Sequence, residues 1–552
     1  MLLLRVSIEV NTMGDYVNPE PDNFEMSLGS EIYIDKSNLI AKTNRLIRTK
    51  QRFICISRPR RFGKTMAADM LAAYYGGGKN AHALFKDLNI ATHPTYEKHL
   101  NQYTVLMINM QDFLSQAETV ADMLILLRSK LIEELQNKKN NFLTKIFQSL
   151  RSLGKNLKQD NIKDFMRLMK DVYRTTKRPF IILIDEWDCV FRANKVSADD
   201  HEVYLDFLRL WLKDKSYVGL AYMTGILPIK KYGEHSALNM FEEYSMTEPS
   251  QFLDYFGFSE AEVKELTLKY DVDMSEMEKW YNGYFVDLGT PIYNPKSVTS
   301  SLIRERFSSY WNKTETYEAL KDYIKLNFDG LKNKITQMIS GYDITVNPHK
   351  FTNDMNTFNS VDDVLTLLVH LGYLSYNFEK STVRIPNEEV KGEFINSIED
   401  LGDWSTVVAA IQKSYQLLHA IWNEDASAVA IGVQEVHEQN TAILKYNDEN
   451  ALSCVISLAL YSAKNYYTII RELPSGKGYA DLVFVPYKKS IDKPAIVVEL
   501  KWDKTVKGAI AQIKEKNYLS ALEAYQGDLL LVGINYKKDT KHHECIIESW
   551  KV

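Results

Sequence analysis

Cysteine is scarce in this chain, with four among 552 residues. Cys55, Cys189, Cys454 and Cys545 lie far apart and form no CxxC pair, so neither a zinc ribbon nor a disulfide framework is encoded. They read as structural free thiols of a reducing compartment. Long hydrophobic runs are missing as well. No stretch approaches the roughly 18 uninterrupted apolar residues of a membrane-spanning helix. The opening Met1-Leu2-Leu3-Leu4-Arg5-Val6 is too short an apolar run and has no basic segment before it, which argues against a signal peptide. The expectation is a cytoplasmic protein with no membrane partner. Excess charge of one sign is also lacking: 67 basic residues stand against 72 acidic ones, a net of −5. Such a balance advertises no polyanionic or polycationic partner, although charge can still be concentrated locally.

What is present is ordinary globular material. Hydrophobic residues make up 45% and charged residues 25%, which excludes collagen-like and disordered chains. At about 150 residues per domain, the length suggests three or four domains. Short apolar runs at 53–56, 105–108, 180–184 and 220–223 read as strands buried on both faces. Helices are expected at 66–75, through a mixed-charge stretch over 115–173, and at 203–213. Strands alternating with helices imply a doubly wound parallel sheet. Residues 300–430 read as mostly helical, with a helix over 361–374 and a β-wing at 382–385, as in a small winged-helix-like linker. After 440 the pattern changes again. A helix at 447–463 precedes strands at 467–471, 480–485 and 495–500, a helix at 507–525 and a strand at 529–534. The resulting division is 1–300, an α/β domain with an N-terminal extension; 301–430, the helical linker; and 431–552, a second α/β domain.

The segment Ser57-Arg58-Pro59-Arg60-Arg61-Phe62-Gly63-Lys64-Thr65 lies between a predicted strand and a predicted helix. A phosphate loop needs that context, because amides at a helix N-terminus face the anion. Residues 58–65 would cradle the phosphates of ATP, with Lys64 on the β- and γ-phosphates and the Thr65 hydroxyl on Mg²⁺. The pattern GxxxxGK[ST] would place glycine where Arg58 stands, and Pro59 removes an amide donor. The strand 180–184 runs into Asp185-Glu186. In that position Asp185 would bind Mg²⁺ and Glu186 would polarise the attacking water. Thr224, at the end of the fourth strand, is either a γ-phosphate sensor or part of a plain turn. Nine basic residues and no acidic one fall between Ala41 and Ala68, and nothing in the sequence selects Arg58, Arg60 or Arg61 as the neutraliser of transition-state charge.

A second constellation lies near the C-terminus. Glu499 and Lys501 are two apart on a predicted strand and therefore share a face. Asp481, on the preceding strand, is placed to join them. Two carboxylates offer hard oxygen ligands to Mg²⁺. Metal and lysine together favour hydroxide formation and stabilise charge on a phosphate. Glu449 on an upstream helix supplies a further acid, and Gln512 on the following helix could orient the site. A lone ExK pair recurs by chance; the ordered set of helix, strand, strand and helix is more specific. The bland alternative, a surface salt bridge, fits poorly with the apolar run that carries the pair.

At this point the residues resemble a known family, the bacterial AAA-ATPase-like proteins with a C-terminal PD-(D/E)XK nuclease domain. Tyr33-Ile34-Asp35-Lys36 is similar to the family's YxDK element, and Arg58 to Thr65 to its RPRRFGK[ST] loop, which also lacks the first glycine. Ile184-Asp185-Glu186-Trp187-Asp188 resembles LIDEYD, with Trp187 in the tyrosine's place, and Thr224-Gly225-Ile226 resembles TG[VI]. Trp280 to Tyr284, Tyr293-Asn294-Pro295 and Ile385 to Val390 are similar to its WYxGY, YNP and IPNxEV segments. Asp481, Glu499 and Lys501 fall on its D…ExK, with Tyr479 where the family's GRxD has arginine. The resemblance implies an α/β protein: an AAA-type P-loop domain, a helical middle and a restriction-endonuclease-like C-terminal domain. It also implies ATP and Mg²⁺ as cofactors. The expected partner is nucleic acid, DNA ahead of RNA, with homo-oligomer formation left open. The competing expectation is a nucleotide-dependent switch whose nuclease fold is inactive and serves only to bind nucleic acid or a partner.

Overall fold

The computed structural model describes residues 14–76, 78–137, 162–193, 196–229, 238–248, 250–286, 290–311, 316–326, 330–351, 358–444, 449–475, 478–487, 490–515 and 527–550. The chain divides into two compact units: Met1–Trp311 with Thr345–Glu389, and Asn312–Ile344 with Val390–Val552.

The first unit is built on strands β1 (Phe53–Ser57), β2 (Thr104–Asn109), β3 (Phe180–Asp185), β4 (Val218–Gly225) and β5 (Glu242–Tyr244). Their spatial order is β2-β3-β4-β1-β5, and every neighbouring pair is parallel. All residues of β1, β3 and β4 are buried, as both faces of a parallel sheet require. The four expected strands are present. β5 was not anticipated, because the polar triplet Glu-Glu-Tyr carries no hydrophobic signal; its main chain pairs with Ile54 to Ile56 instead. Helix Lys64–Gly76 packs Leu71, Ala72 and Tyr75 into the same core as Ile54, Ile56, Ile181 and Leu183.

The expected long helical stretch is interrupted. Met110–Ser115, Val120–Asn137 and Ile162–Thr176 are helical, and 138–161 lie outside the described residues. The break before Val120 is a cap: the Thr119 hydroxyl accepts from the Asp122 amide at 3.1 Å and donates to its carboxylate at 2.7 Å.

The remainder of this unit explains several motifs as structural ties. Asp35 accepts the amides of Ser37 and Asn89, while Lys36 pairs with Glu262 at 2.6 Å and donates to the Asp254 carbonyl. Gly283 has φ +98°, and a Cβ there would stand 2.1 Å from the Pro386 carbonyl oxygen. Asn294 caps helix Pro295–Ile303 through the amides of Lys296 and Ser297. Buried Glu389 accepts the Tyr310 and Trp311 amides and the Ser297 hydroxyl at 2.6, 2.9 and 2.7 Å. Three distant segments of the chain therefore meet at one carboxylate. Helix Val361–Leu371 starts in a capping box at Ser360 and Asp363 and stops at Gly372, φ +88°. The hairpin Ser375–Asn377 with Thr382–Arg384 follows, where the wing was expected.

The second unit carries β6 (Tyr467–Ser475), β7 (Gly478–Pro486), β8 (Ala495–Trp502), β9 (Leu529–Lys537) and β10 (His542–Trp550), side by side in that order. Only β8 and β9 run parallel. Helix Val506–Glu515 lies on one face over Val483, Val497 and Leu531, packing Ile510 and Ile513 against them. The expected continuation of this helix to 525 falls outside the described residues. Helices Ala426–Leu444 and Glu449–Ala459 pack against sheet strands as well. β10 went unpredicted because it lies at the sheet's edge, where most of its residues are only partly buried.

Candidate functional site

The first candidate site begins where β1 leaves the core. Two left-handed residues, Arg61 at φ +68° and Gly63 at φ +89°, turn the chain into the helix that starts at Lys64. This loop is poor in glycine, and packing holds it in place. Arg58 is fully buried; its guanidinium donates to the carbonyls of Ser57 and Tyr244, each at 2.9 Å. Burial without a carboxylate lowers its pKa to about 10. Pro59 sits beneath Gly372, where a Cβ would approach it to 2.7 Å. Arg61 donates to the Tyr310 carbonyl. Phe62 meets the Tyr284 ring edge-on at 5.2 Å. The side chains of Arg58, Pro59, Arg61 and Phe62 are therefore engaged by the unit's own interior, and Arg60 is half-buried.

The polar groups beside the loop converge. Lys64 is buried and donates across the loop to the carbonyls of Arg58 and Pro59, both at 2.9 Å. Burial depresses its pKa, opposed by the charges of Glu186, Asp185 and Asp188. Asp185, at the end of β3, accepts the Thr65 hydroxyl at 2.6 Å, the Thr224 hydroxyl from β4, and the Glu186 amide at 3.0 Å. The parallel order puts β4 between β1 and β3, which is why Thr224 can reach Asp185. Glu186 adopts a left-handed φ of +52°. Burial raises its carboxyl pKa, with Arg192 and Lys64 pulling the other way.

Of two further residues at this site, Arg192 went unnoticed in the sequence and Asp188 figured there only as the last residue of the LIDEYD-like element. Arg192 pairs with Glu186 and, through Nε at 3.2 Å, with Asp188. Asp188 is fully buried and accepts the amides of Ile226 and Leu227 at 3.0 and 2.8 Å. The i,i+4 spacing of Asp188 and Arg192 was the available signal.

The second candidate site lies on the face of β8 covered by helix Val506–Glu515. Lys501 Nζ is 2.7 Å from Glu499 Oε1, with side-chain exposures of only 8% and 2%. A charged pair this dry at the end of a core strand adds little net stability, since desolvation offsets its attraction. Gln512 donates its amide to Glu499. Asp481 on β7 accepts the main-chain amide of Leu500 at 2.6 Å, which fixes it beside the strand that carries the pair. The structure thus unites Asp481, Glu499, Lys501 and Gln512. Glu449 begins its helix, and its side chain, like that of Tyr479, is outside the described residues. Asn535, paired in register with Lys501, was missed. Its buried amide clamps both the N–H and the carbonyl of Lys504 at 2.9 Å, setting the turn after β8.

Among the described residues no group of three or more His, Cys, Asp or Glu side chains is assembled for a metal. The oxygen-only donors of each site, Thr65 with Asp185 and Asp481 with Glu499, still suit Mg²⁺, which keeps several waters and takes few protein ligands.

Gly533 faces Glu499 across the β8–β9 ladder. A Cβ there would stand 2.9 Å from the Val506 carbonyl and 3.0 Å from Ala509 Cβ. Gly533→Val is therefore expected to lift the covering helix, at about 1–3 kcal/mol. The urea midpoint should fall; an unchanged midpoint would show that the helix does not depend on this close approach.

A fully parallel sheet with a lysine-bearing loop after β1 and an acidic pair after β3 defines a P-loop nucleotide-binding domain of the AAA type. The mixed five-stranded sheet with Asp481 and Glu499-Leu500-Lys501 on adjacent strands defines a restriction-endonuclease-like domain. Sequence comparison agrees. Residues 22–233 match the AAA-ATPase-like family, described as a predicted AAA-ATPase, and residues 447–546 match the PD-(D/E)XK nuclease superfamily. Both matches agree with the resemblance to AAA-ATPase-like proteins that carry a C-terminal PD-(D/E)XK nuclease-superfamily domain. An uncharacterized protein in the vnfD 5′ region of Azotobacter chroococcum mcd 1 is 25% identical over 275 residues, 49% of this chain and 48% of that protein. The chain thus spans about half the length of the curated relative it matches. The solved Aeropyrum pernix ORC2 protein, in ADPNP and ADP complexes, superposes with a TM-score of 0.29 at 11% identity, over 69% of this chain and 98% of that one. No helix among the described residues is long and apolar enough to cross a membrane.

Proposed function

We propose that this protein binds and hydrolyses ATP in its first unit and cleaves nucleic-acid phosphodiesters in its second, with DNA as the first substrate to test. The observation that carries the nuclease half is the dry Lys501–Glu499–Gln512 assembly, with Asp481 held against the same strand. Lys501 would stabilise charge building on the scissile phosphate, and Gln512 would keep Glu499 oriented. Asp481 and Glu499 would hold Mg²⁺, which when bound supplies Lewis acidity and eases formation of hydroxide.

The ATPase half rests on the Thr65–Asp185–Thr224 cluster beside Lys64. Lys64 would leave the loop carbonyls for the β- and γ-phosphates, and Thr65 with Asp185 would hold the Mg²⁺ of the nucleotide. Glu186 would orient the attacking water. Thr224 would sense the γ-phosphate through Asp185.

The test is incubation of the full chain with DNA or RNA and Mg²⁺, with and without ATP. Cleavage that Asp481→Ala abolishes supports the proposal. ATP hydrolysis without cleavage of any polynucleotide would overturn its nuclease half and favour a nucleotide-dependent switch with an inactive nuclease fold.

A further inference from the structure

The basic run between Ala41 and Ala68 supplies more cations than the phosphate loop uses. In the folded first unit part of the surplus lies at the other end of the sheet, where the chain enters β1, and two distant segments join it there. The entry to β1 carries Arg48, Lys50 and Arg52, that to β3 carries Lys177 and Arg178, and that to β4 carries Lys213 and Lys215. Strands β3, β4 and β1 are successive neighbours, so their parallel pairing sets the three entry loops side by side. Main-chain bonds tie these loops together. The Arg48 amide donates to the Gly219 carbonyl at 2.9 Å, the Ala221 amide to the Arg52 carbonyl at 2.9 Å, and the Phe180 amide to the Tyr217 carbonyl at 2.8 Å. Residues 47–52, 177–179 and 213–217 hold seven cations and one acid, Asp214, in a chain whose net charge is −5.

These cations face outward and are not neutralised. Arg48, Lys50 and Lys177 are exposed, and the other four are half-buried. Their hydrogen bonds go to neutral partners: Arg48 to the Tyr173 hydroxyl at 3.3 Å, Arg52 to the Thr49 carbonyl at 2.9 Å, and Lys213 to the Asn239 side chain at 3.1 Å. Among the described residues, none of the seven is ion-paired with a carboxylate. A single charge run is by default a solvated face, but here three separate segments bring like charges to one edge, against their mutual repulsion. Arg48 and Lys177 even take left-handed backbone, at φ +61° and +59°, which glycine or asparagine adopts with less strain. The aromatic ring of these loops, Tyr217, is buried, so the edge presents cations without a platform for stacking bases. Three adjacent strand ends span roughly 10 Å, a length over which a duplex carries about six phosphate charges. We propose that the entry edge of the first unit's sheet is a docking surface for the phosphate backbone of duplex nucleic acid, bound without regard to base sequence. This rests on the reading of nucleic acid as the partner, and adds a contact on the first unit at the end of the sheet opposite the phosphate loop.

The experiment is equilibrium binding of a short fluorescent DNA duplex to the full chain over a series of salt concentrations, without Mg²⁺ so that cleavage does not intervene. Wild type is compared with the triple variant Arg48→Gln, Lys50→Gln, Lys177→Gln. The variant should bind roughly tenfold or more weakly, equally for unrelated sequences, and its slope of log affinity against log salt should be smaller by about three. Its melting temperature should match wild type, because all three side chains are exposed. If the triple variant fails to fold, Lys50→Gln and Lys177→Gly decide singly, each expected to lower the slope by about one. Wild-type affinity and salt slope in the folded variant overturn the docking surface, as does a wild type that binds no duplex. Binding to phosphatidylserine vesicles but not to the duplex also overturns it, and makes the edge a membrane-facing surface. The cleavage reading fails separately: duplex binding that depends on these cations, without cleavage once Mg²⁺ is added, supports the docking surface and overturns only the nuclease half.

Discussion

Lys64→Ala should abolish the stabilisation that ATP confers on the protein and lower ATP hydrolysis by on the order of 10²- to 10³-fold. Lys64 points its donors across the phosphate loop, to the carbonyls of Arg58 and Pro59. The arginines cannot readily substitute for it, because Arg58 is committed to the Ser57 and Tyr244 carbonyls and Arg61 to that of Tyr310. Removing the ammonium also leaves the neighbouring Glu186, Asp185 and Asp188 with less opposing charge. Some loss of stability without nucleotide is therefore expected, and the variant must be compared with itself. The measurement is the melting temperature with and without Mg·ATP. A ligand that binds only the folded state raises it by mass action. A wild-type shift in Lys64→Ala would mean that the loop binds nucleotide without its lysine, or that the nucleotide binds elsewhere.

Lys501→Met should reduce polynucleotide cleavage by roughly 10²- to 10³-fold while leaving ATP hydrolysis at its wild-type rate. Methionine keeps most of the side-chain length inside a strand that is buried almost throughout. The loss should therefore be chemical more than structural. Glu499 would lose its cation but keep the Gln512 amide, so a modest drop in melting temperature is expected alongside. Cleavage by the variant at the wild-type rate would remove Lys501 from the chemistry and reduce the buried pair to a structural one. Retention of ATP hydrolysis distinguishes that result from general misfolding.

Much of this architecture was legible in the sequence, for identifiable reasons. Strands β1, β2, β3 and β4 announce themselves because a parallel sheet covered on both faces needs unbroken apolar runs, such as Phe180 to Ile184. β8 does the same, and Glu499 and Lys501 stand out because charges interrupt that run. The period of two along a strand was enough to place them on one face. Within the two five-stranded sheets, the strands that escaped notice, β5 and β10, lie at sheet edges, where main-chain pairing suffices and side chains need not be apolar.

The sequence by itself determined the two α/β sheets, the phosphate loop, the acidic pair after β3 and the Asp481, Glu499 and Lys501 set. These depend on local runs and short spacings, which a chain cannot conceal. The tertiary structure alone decided the rest. It shows that the side chains of Arg58, Pro59, Arg61 and Phe62 support the loop from within, that Glu389 gathers Ser297, Tyr310 and Trp311, and that Arg192 holds Glu186. It also shows that Asn535 and Gly533 shape the candidate site of the second unit from the neighbouring strand. Each of these depends on which carbonyl, amide or carboxylate happens to be a neighbour once distant segments have packed. A motif gives the residue types, but the partner of a buried charge is set by desolvation, which exists only in the folded interior.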